Sequence, residues 1–222
     1  MTKSLSYQPN LVSTNVWRNV RSTVITHFWF KCFGTMGFTL VFFSAYFFLL
    51  NNPAFPVTTI PATPLDDAIK FEPLALPLYL TLWIYVSLPP ALMTTRREII
   101  EYGVWMCGLC VAALIIFYFW PSTIPPSNIN WNQYPWISYI KGFDASGNAC
   151  PSLHVATATF SFFWLQQRLL SIGLGYGSRI FNVCWCAAII YSTMATKQHM
   201  ALDVIAGIGL ALAFVWAHKR FK

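Results

Sequence analysis

The sequence predicts an all-α, polytopic integral membrane protein of six transmembrane helices, and three observations carry that prediction. Of its 222 residues 56% are hydrophobic and 9% charged, apolar runs of spanning length recur six times, and Lys and Arg gather on alternate connections. A soluble domain carries roughly a quarter charged residues, so this chain has too few to cover a water-facing surface. The bilayer is then its solvent, and each crossing takes about 20 apolar residues.

Residues 1–30 mix polar and aromatic side chains with Lys3, Arg18 and Arg21, and show no short apolar core followed by a small-residue cleavage site. They read as a cytoplasmic arm whose Trp17, His27, Phe28 and Trp29 approach the interface, leaving residues 31–222 as the membrane domain. Hydropathy places the spans at about Phe33–Leu50, Leu74–Met93, Tyr102–Trp120, Ser152–Leu170, Ile180–Ala195 and Leu202–Ala217. Only Thr196–Ala201 separates the last two, which makes them an antiparallel hairpin.

Charge sets the expected orientation. With the N-terminus inside, the inner segments hold Lys3, Arg18, Arg21, Lys31, Arg96, Arg97, Arg168, Arg179, Lys219, Arg220 and Lys222, which is 11 of the 14 basic residues. The outer loops, about 51–73 and 121–151, hold Lys70 and Lys141, and the last hairpin holds Lys197. This positive-inside bias puts both termini in the cytoplasm. The prolines of Pro121-Ser-Thr-Ile-Pro-Pro-Ser-Asn-Ile-Asn-Trp131 forbid a regular helix, while Trp131, Trp136 and Tyr139 suit a lid at headgroup level.

An ionisable group at membrane depth is costly and marks a function. Cys107-x-x-Cys110 and Cys184-x-Cys186 lie inside apolar runs, where Cys packs as a small hydrophobe. His27 and His218 fall at the cytoplasmic ends of the first and last spans. His154 and His199 open spans four and six, and counting crossings puts both on the outer face.

Asp203 follows His199 by four residues, a helical spacing that lets the two side chains meet. A carboxylate bonded to one imidazole nitrogen fixes the tautomer and makes the other nitrogen the better nucleophile. His154 stands in Ala149-Cys-Pro-Ser-Leu-His154, where Pro151 is expected in the first turn of a helix. The free N–H groups of that turn, with the Ser152 hydroxyl, form an anion site beside a proton donor. An anion cradle, a proton donor and an oriented second imidazole together describe phosphoryl transfer through a phosphohistidine.

Pro151-Ser-Leu-His154 resembles the second signature of the type 2 phosphatidic acid phosphatase superfamily, Pro-Ser-x-His. Ser192-Thr-Met-Ala-Thr-Lys-Gln-His199-Met-Ala-Leu-Asp203 resembles its third: Ser-Arg, five residues, His, three residues, Asp. The resemblance covers roughly residues 100–217. It implies that His199 is the nucleophile, Asp203 its orienter, His154 the general acid and Ser152 a phosphate ligand. No metal or other cofactor is needed in that chemistry.

Two departures stand out. Where the family's first signature has Lys, six residues, then Arg-Pro, this chain has Trp120-Pro-Ser-Thr-Ile-Pro-Pro126, and the Arg of the third signature is Thr193. The Ser-Thr form is similar to the inositol phosphorylceramide synthase branch, which transfers a headgroup to a lipid hydroxyl. Lys197, Lys141 and the Ser192 hydroxyl are the candidates to supply the missing phosphate contacts.

The expected activity is removal or transfer of a phosphoryl group on a lipid phosphate at the extracytoplasmic leaflet. The lack of an Asn-x-Ser/Thr sequon leans toward a bacterial inner membrane. A distant alternative is a non-enzymatic haem protein with His154 and His199 as paired ligands.

Overall fold

The computed structural model describes residues 20–127, 129–135 and 147–221. Residues 1–19 of the arm, and Trp136, Tyr139 and Lys141 of the second loop, lie outside the described residues. The protein is mostly helical. Helix α1 is Phe28–Asn51, α2 Pro64–Ala68, α3 Leu76–Leu80, α4 Leu82–Ala91, α5 Arg96–Phe119, α6 Leu153–Ser171, α7 Tyr176–Ala195 and α8 Ala201–Arg220.

Among the described residues, four stretches are long and apolar enough to cross a membrane: Phe28–Asn51, Pro73–Ala91, Arg96–Phe119 and Ala201–Arg220. Hydropathy reading expects six. Helices α6 and α7 are 19 and 20 residues long but carry more polar side chains. For α6 the reason is its position, because it packs against α4, α5, α7 and α8 and so meets protein on most sides. Val155, Ala156, Ala158, Phe160 and Ser161 are all fully buried there.

The second expected span is not one helix. A 3-10 turn at Pro73–Ala75 leads into α3, and Thr81 separates α3 from α4. Pro89 and Pro90 sit inside α4. Pro90 has no N–H for the carbonyl of Val86, and that oxygen accepts the Tyr102 hydroxyl instead, at 3.0 Å. The Tyr102 hydroxyl also lies 3.0 Å from Ser161 Oγ, which ties α4, α5 and α6 together.

Helix α5 starts where Thr95-Arg-Arg-Glu98 forms a capping box: Glu98 N–H donates to Thr95 Oγ1, and the Glu98 carboxylate accepts from Thr95 N–H. Cations close the neighbouring end of α4. Lys31 Nζ donates to the Ala91 carbonyl at 2.8 Å, and Arg168 donates to the Leu92 carbonyl while pairing with Glu98 at 2.8 Å. His218 pairs with Glu101 at 2.8 Å nearby.

At the opposite end the two long loops pair. Thr58–Thr59 and Ser122–Thr123 form a two-residue parallel ladder, and Phe71 makes edge contacts with Trp131 and Tyr134. Gly207 sets how closely α8 approaches α6. A Cβ there would stand 2.5 Å from the Ser152 carbonyl oxygen, so only glycine fits.

Candidate active site

The site begins at the turn between α7 and α8. Helix α7 ends at Ala195, and the N–H groups of Gln198 and His199 both donate to the Thr193 carbonyl. Lys197 takes a left-handed conformation, φ +54°, to make this closure. Its ammonium donates to the carbonyl oxygens of Asp66 and Ile69. The Asp66 carboxylate in turn accepts the Ala201 N–H at 2.8 Å and the Thr63 N–H and hydroxyl, each at 2.7 Å. The Lys197 bonds to the Asp66 and Ile69 carbonyls and the Ala201 bond to the Asp66 carboxylate thus fasten the α2 segment to the His199 turn.

His199 lies just outside α8, before the flanking residue Met200, and Asp203 is in the first turn. The pair meets all the same: Nδ1 of His199 is 3.0 Å from Oδ2 of Asp203. A carboxylate can only accept, so Nδ1 donates, and in the neutral ring the lone pair is then on Nε2. Asp203 is fully buried and His199 is 8% exposed.

The second half of the site opens α6. Ser152 caps the helix, its Oγ accepting the Val155 N–H at 3.3 Å. Pro151 therefore precedes the cap, where the sequence reading puts it in the first turn. The backbone N–H of Ser152 donates to the Asp203 carbonyl at 2.9 Å, which joins the two motifs directly. His154, in the first turn of α6, comes to 5.8 Å from His199 between ring centroids. Tyr79 stacks on His154 at 4.4 Å with planes 21° apart, and Trp83 meets it edge-on at 6.1 Å.

Of the residues singled out in sequence, the structure brings His154, His199, Asp203 and Ser152 together. Ser192 is fully buried near the end of α7, its hydroxyl donating to the Ile189 carbonyl at 2.6 Å. Thr193 is fully buried too, and its hydroxyl donates to the Ile190 carbonyl. Cys150, next to the cis Cys150–Pro151 bond, is a buried thiol. Burial first, then the nearby Asp203 carboxylate, push it up to about 11, so it stays protonated at neutral pH.

Sequence reasoning missed Tyr79, Trp83, Asp66 and Gly207. A signal existed for two of them. Thr63-Pro-Leu-Asp66 has the spacing of a helix start, and Gly207 follows Asp203 by one turn on the same helix face.

The two histidines look into a cavity of about 620 Å³, a size that suits a small ligand or part of a larger one. Among the described residues lining it, Lys31 is the one cation, on α1 near the opposite end of the bundle.

A family model described as the PAP2 superfamily matches residues 65–217. No curated protein and no solved structure matches the chain.

Proposed function

Because the chain belongs to the PAP2 superfamily, a family of phosphoesterases, we propose that it is an integral membrane enzyme that cleaves or transfers the phosphoryl group of a lipid phosphate. The observation that carries this reading is the placement of His154 5.8 Å from a His199 already hydrogen-bonded to buried Asp203.

His199 Nε2 attacks phosphorus and forms a P–N bond as the P–O bond to the lipid breaks. The electron pair leaves on the lipid oxygen, which takes a proton from the His154 imidazolium. Neutral His154 then removes a proton from an incoming water or alcohol, whose oxygen displaces His199. Asp203 holds the His199 tautomer and stabilises the charge that develops on the ring. The first-turn amides of α6 and the Ser152 hydroxyl face the phosphate and stand in for the missing arginines. Lys141 of the second loop and Ser192 are further candidates for phosphate contact. Lys197 acts through the turn it braces.

The chain crosses the membrane six times, with both termini cytoplasmic and the histidines on the extracytoplasmic side. Support for this comes from Arg96, Arg168, Arg179 and Lys219, which all sit at the helix ends opposite the histidine pair. In a bacterium that membrane is the inner one.

Transfer to a hydroxyl, as in the inositol phosphorylceramide synthase branch, is the second reading. It is favoured by Thr193 in place of arginine, by the burial of His199, and by the Tyr79 and Trp83 rings packed on His154, which limit water at the pair. One assay tests both readings. Purified protein is incubated with a panel of lipid phosphates, with and without an acceptor alcohol, beside His199→Ala. Release of inorganic phosphate marks hydrolysis, and a phosphorylated acceptor marks transfer. Turnover that survives in His199→Ala overturns the mechanism.

A further inference from the structure

The cavity at the histidine pair does not end near it. Its wall on α1 runs from Phe47 and Tyr46, beside Asn148 and the histidines, down one face of the helix to Phe30 and Lys31. At about 1.5 Å per residue, that wall is about 25 Å long. A single leaflet contributes only about 15 Å of hydrocarbon, half of a core about 30 Å thick. The groove therefore passes the midplane of the bilayer, whatever the orientation of the chain.

Its opposite walls come from α4, through Trp83 to Pro90, and from α5, through Cys110 to Ile99. Nearly all of this lining is apolar. The far end is closed by Lys31, whose ammonium is held by the carbonyls of Thr23 and Ala91, each at 2.8 Å. Two glycines open the distal half. Gly34 and Gly103 both line the groove, and a Cβ at either would meet no atom within 4 Å. Space is left there that a side chain on α1 or α5 would otherwise fill.

We infer that this groove holds the hydrocarbon chain of the substrate, and that the substrate is a phosphate ester of a single chain longer than a leaflet is deep. That is the polyprenyl class of lipid phosphate, as distinct from two-chain glycerolipids. The inference rests on the proposed phosphoryl chemistry only for the position of the headgroup. The chain runs from the histidines between α1 and the α4–α5 pair, past Tyr102 and Met106, toward Gly34, Gly103 and Lys31. Chain length is read by the distal half of the groove.

Binding of hydrolysis-resistant phosphonates to the full chain tests this without requiring turnover. The probes are farnesyl phosphonate, a long polyprenyl phosphonate and the phosphonate analogue of dioleoyl phosphatidic acid. Wild type is expected to bind the long polyprenyl probe about tenfold or more tightly than farnesyl or dioleoyl. Gly34→Phe and Gly103→Phe fill the distal half and are expected to erase that preference while leaving farnesyl affinity unchanged. Equal affinity for all three probes in wild type overturns the inference, as does a long-chain preference that survives both substitutions. Turnover of farnesyl phosphate, measured in parallel, reports on the chemistry alone. If it is absent while the binding pattern holds, the proposed reaction fails and the groove assignment stands.

Discussion

The backbone N–H of Ser152 donates to the carbonyl oxygen of Asp203 across 2.9 Å, so each histidine motif is positioned by the other's backbone. The contact needs α8 to lie against the first turn of α6, and Gly207 permits it. Gly207→Ala places a methyl 2.5 Å from the Ser152 carbonyl, with Val155 Cβ at 3.3 Å and backbone on the other side. Neither neighbour is a flexible side chain, so the helices must separate. Overpacking of this kind costs about 1–3 kcal/mol, and a displacement near 1 Å at a reacting centre lowers turnover on the order of 100-fold. Gly209→Ala, whose Cβ meets open space, is the control and is expected to leave both properties unchanged. Thermal unfolding in detergent and kcat on one lipid phosphate check the pair.

The roles of the two histidines separate by leaving group. His199→Ala is expected to abolish turnover and any acid-labile phosphoenzyme with every substrate. His154→Ala should slow an alkyl phosphate on the order of 100-fold or more, as expected for loss of a general acid, and an aryl phosphate far less. Asp203→Asn keeps a hydrogen bond to the ring but no longer enforces Nδ1–H, and the rate should fall at least about 100-fold with the fold retained. Equal losses for alkyl and aryl substrates in His154→Ala would remove it from the acid role.

What could be read from the sequence divides along contact distance. His199 and Asp203 are four residues apart, and the Pro151-to-His154 run is local, so spacing and side-chain chemistry sufficed to single them out. The helix positions followed from hydropathy to within a few residues at most ends. The break at Thr81 did not, because it lies inside one continuous apolar run. Asp66 could be read as the start of a short helix, but not as a partner of α8. Its bond to Ala201 joins residues 135 apart, and nothing in a helix-start aspartate announces a distant helix. Tyr79 likewise resembles any aromatic of an apolar span until its ring is found on His154. Lys197 was noticed for its charge and its closeness to His199, yet its ammonium is directed to two carbonyls of the α2 segment.

Topology has a direct readout. In a cysteine-free background, Asn130→Cys lies in the exposed part of the second loop, and Arg96→Cys lies at the exposed start of α5. An impermeant thiol reagent added to intact cells is expected to label Asn130→Cys, and to label Arg96→Cys only after permeabilisation. The reverse pattern would turn the molecule over and put the histidines in the cytoplasm.

Asp66 and Lys197 give the sharpest test of what braces the nucleophile. Asp66 is buried, and its carboxylate is the acceptor for the Ala201 N–H at the start of α8. Asp66→Ala leaves that N–H and the Thr63 N–H without this acceptor, and a buried unsatisfied donor costs about 1–3 kcal/mol. The His199 turn should loosen with it. A several-degree fall in Tm is expected, since about 1 kcal/mol shifts a chain of this size by roughly 2–4 °C. Lys197→Met keeps the stem but removes the ammonium that bonds the Asp66 and Ile69 carbonyls. If Lys197 acts as a brace, Tm falls and kcat drops about tenfold, a loss of about 1.4 kcal/mol in transition-state stabilisation, with little change in KM. If it instead contacts phosphate equally in the ground and transition states, KM rises while Tm and kcat hold. Lys197→Arg discriminates further, because a forked guanidinium restores charge without matching the two-carbonyl geometry. Rescue of KM by arginine with Tm unchanged throughout would assign Lys197 to the phosphate and refute the brace.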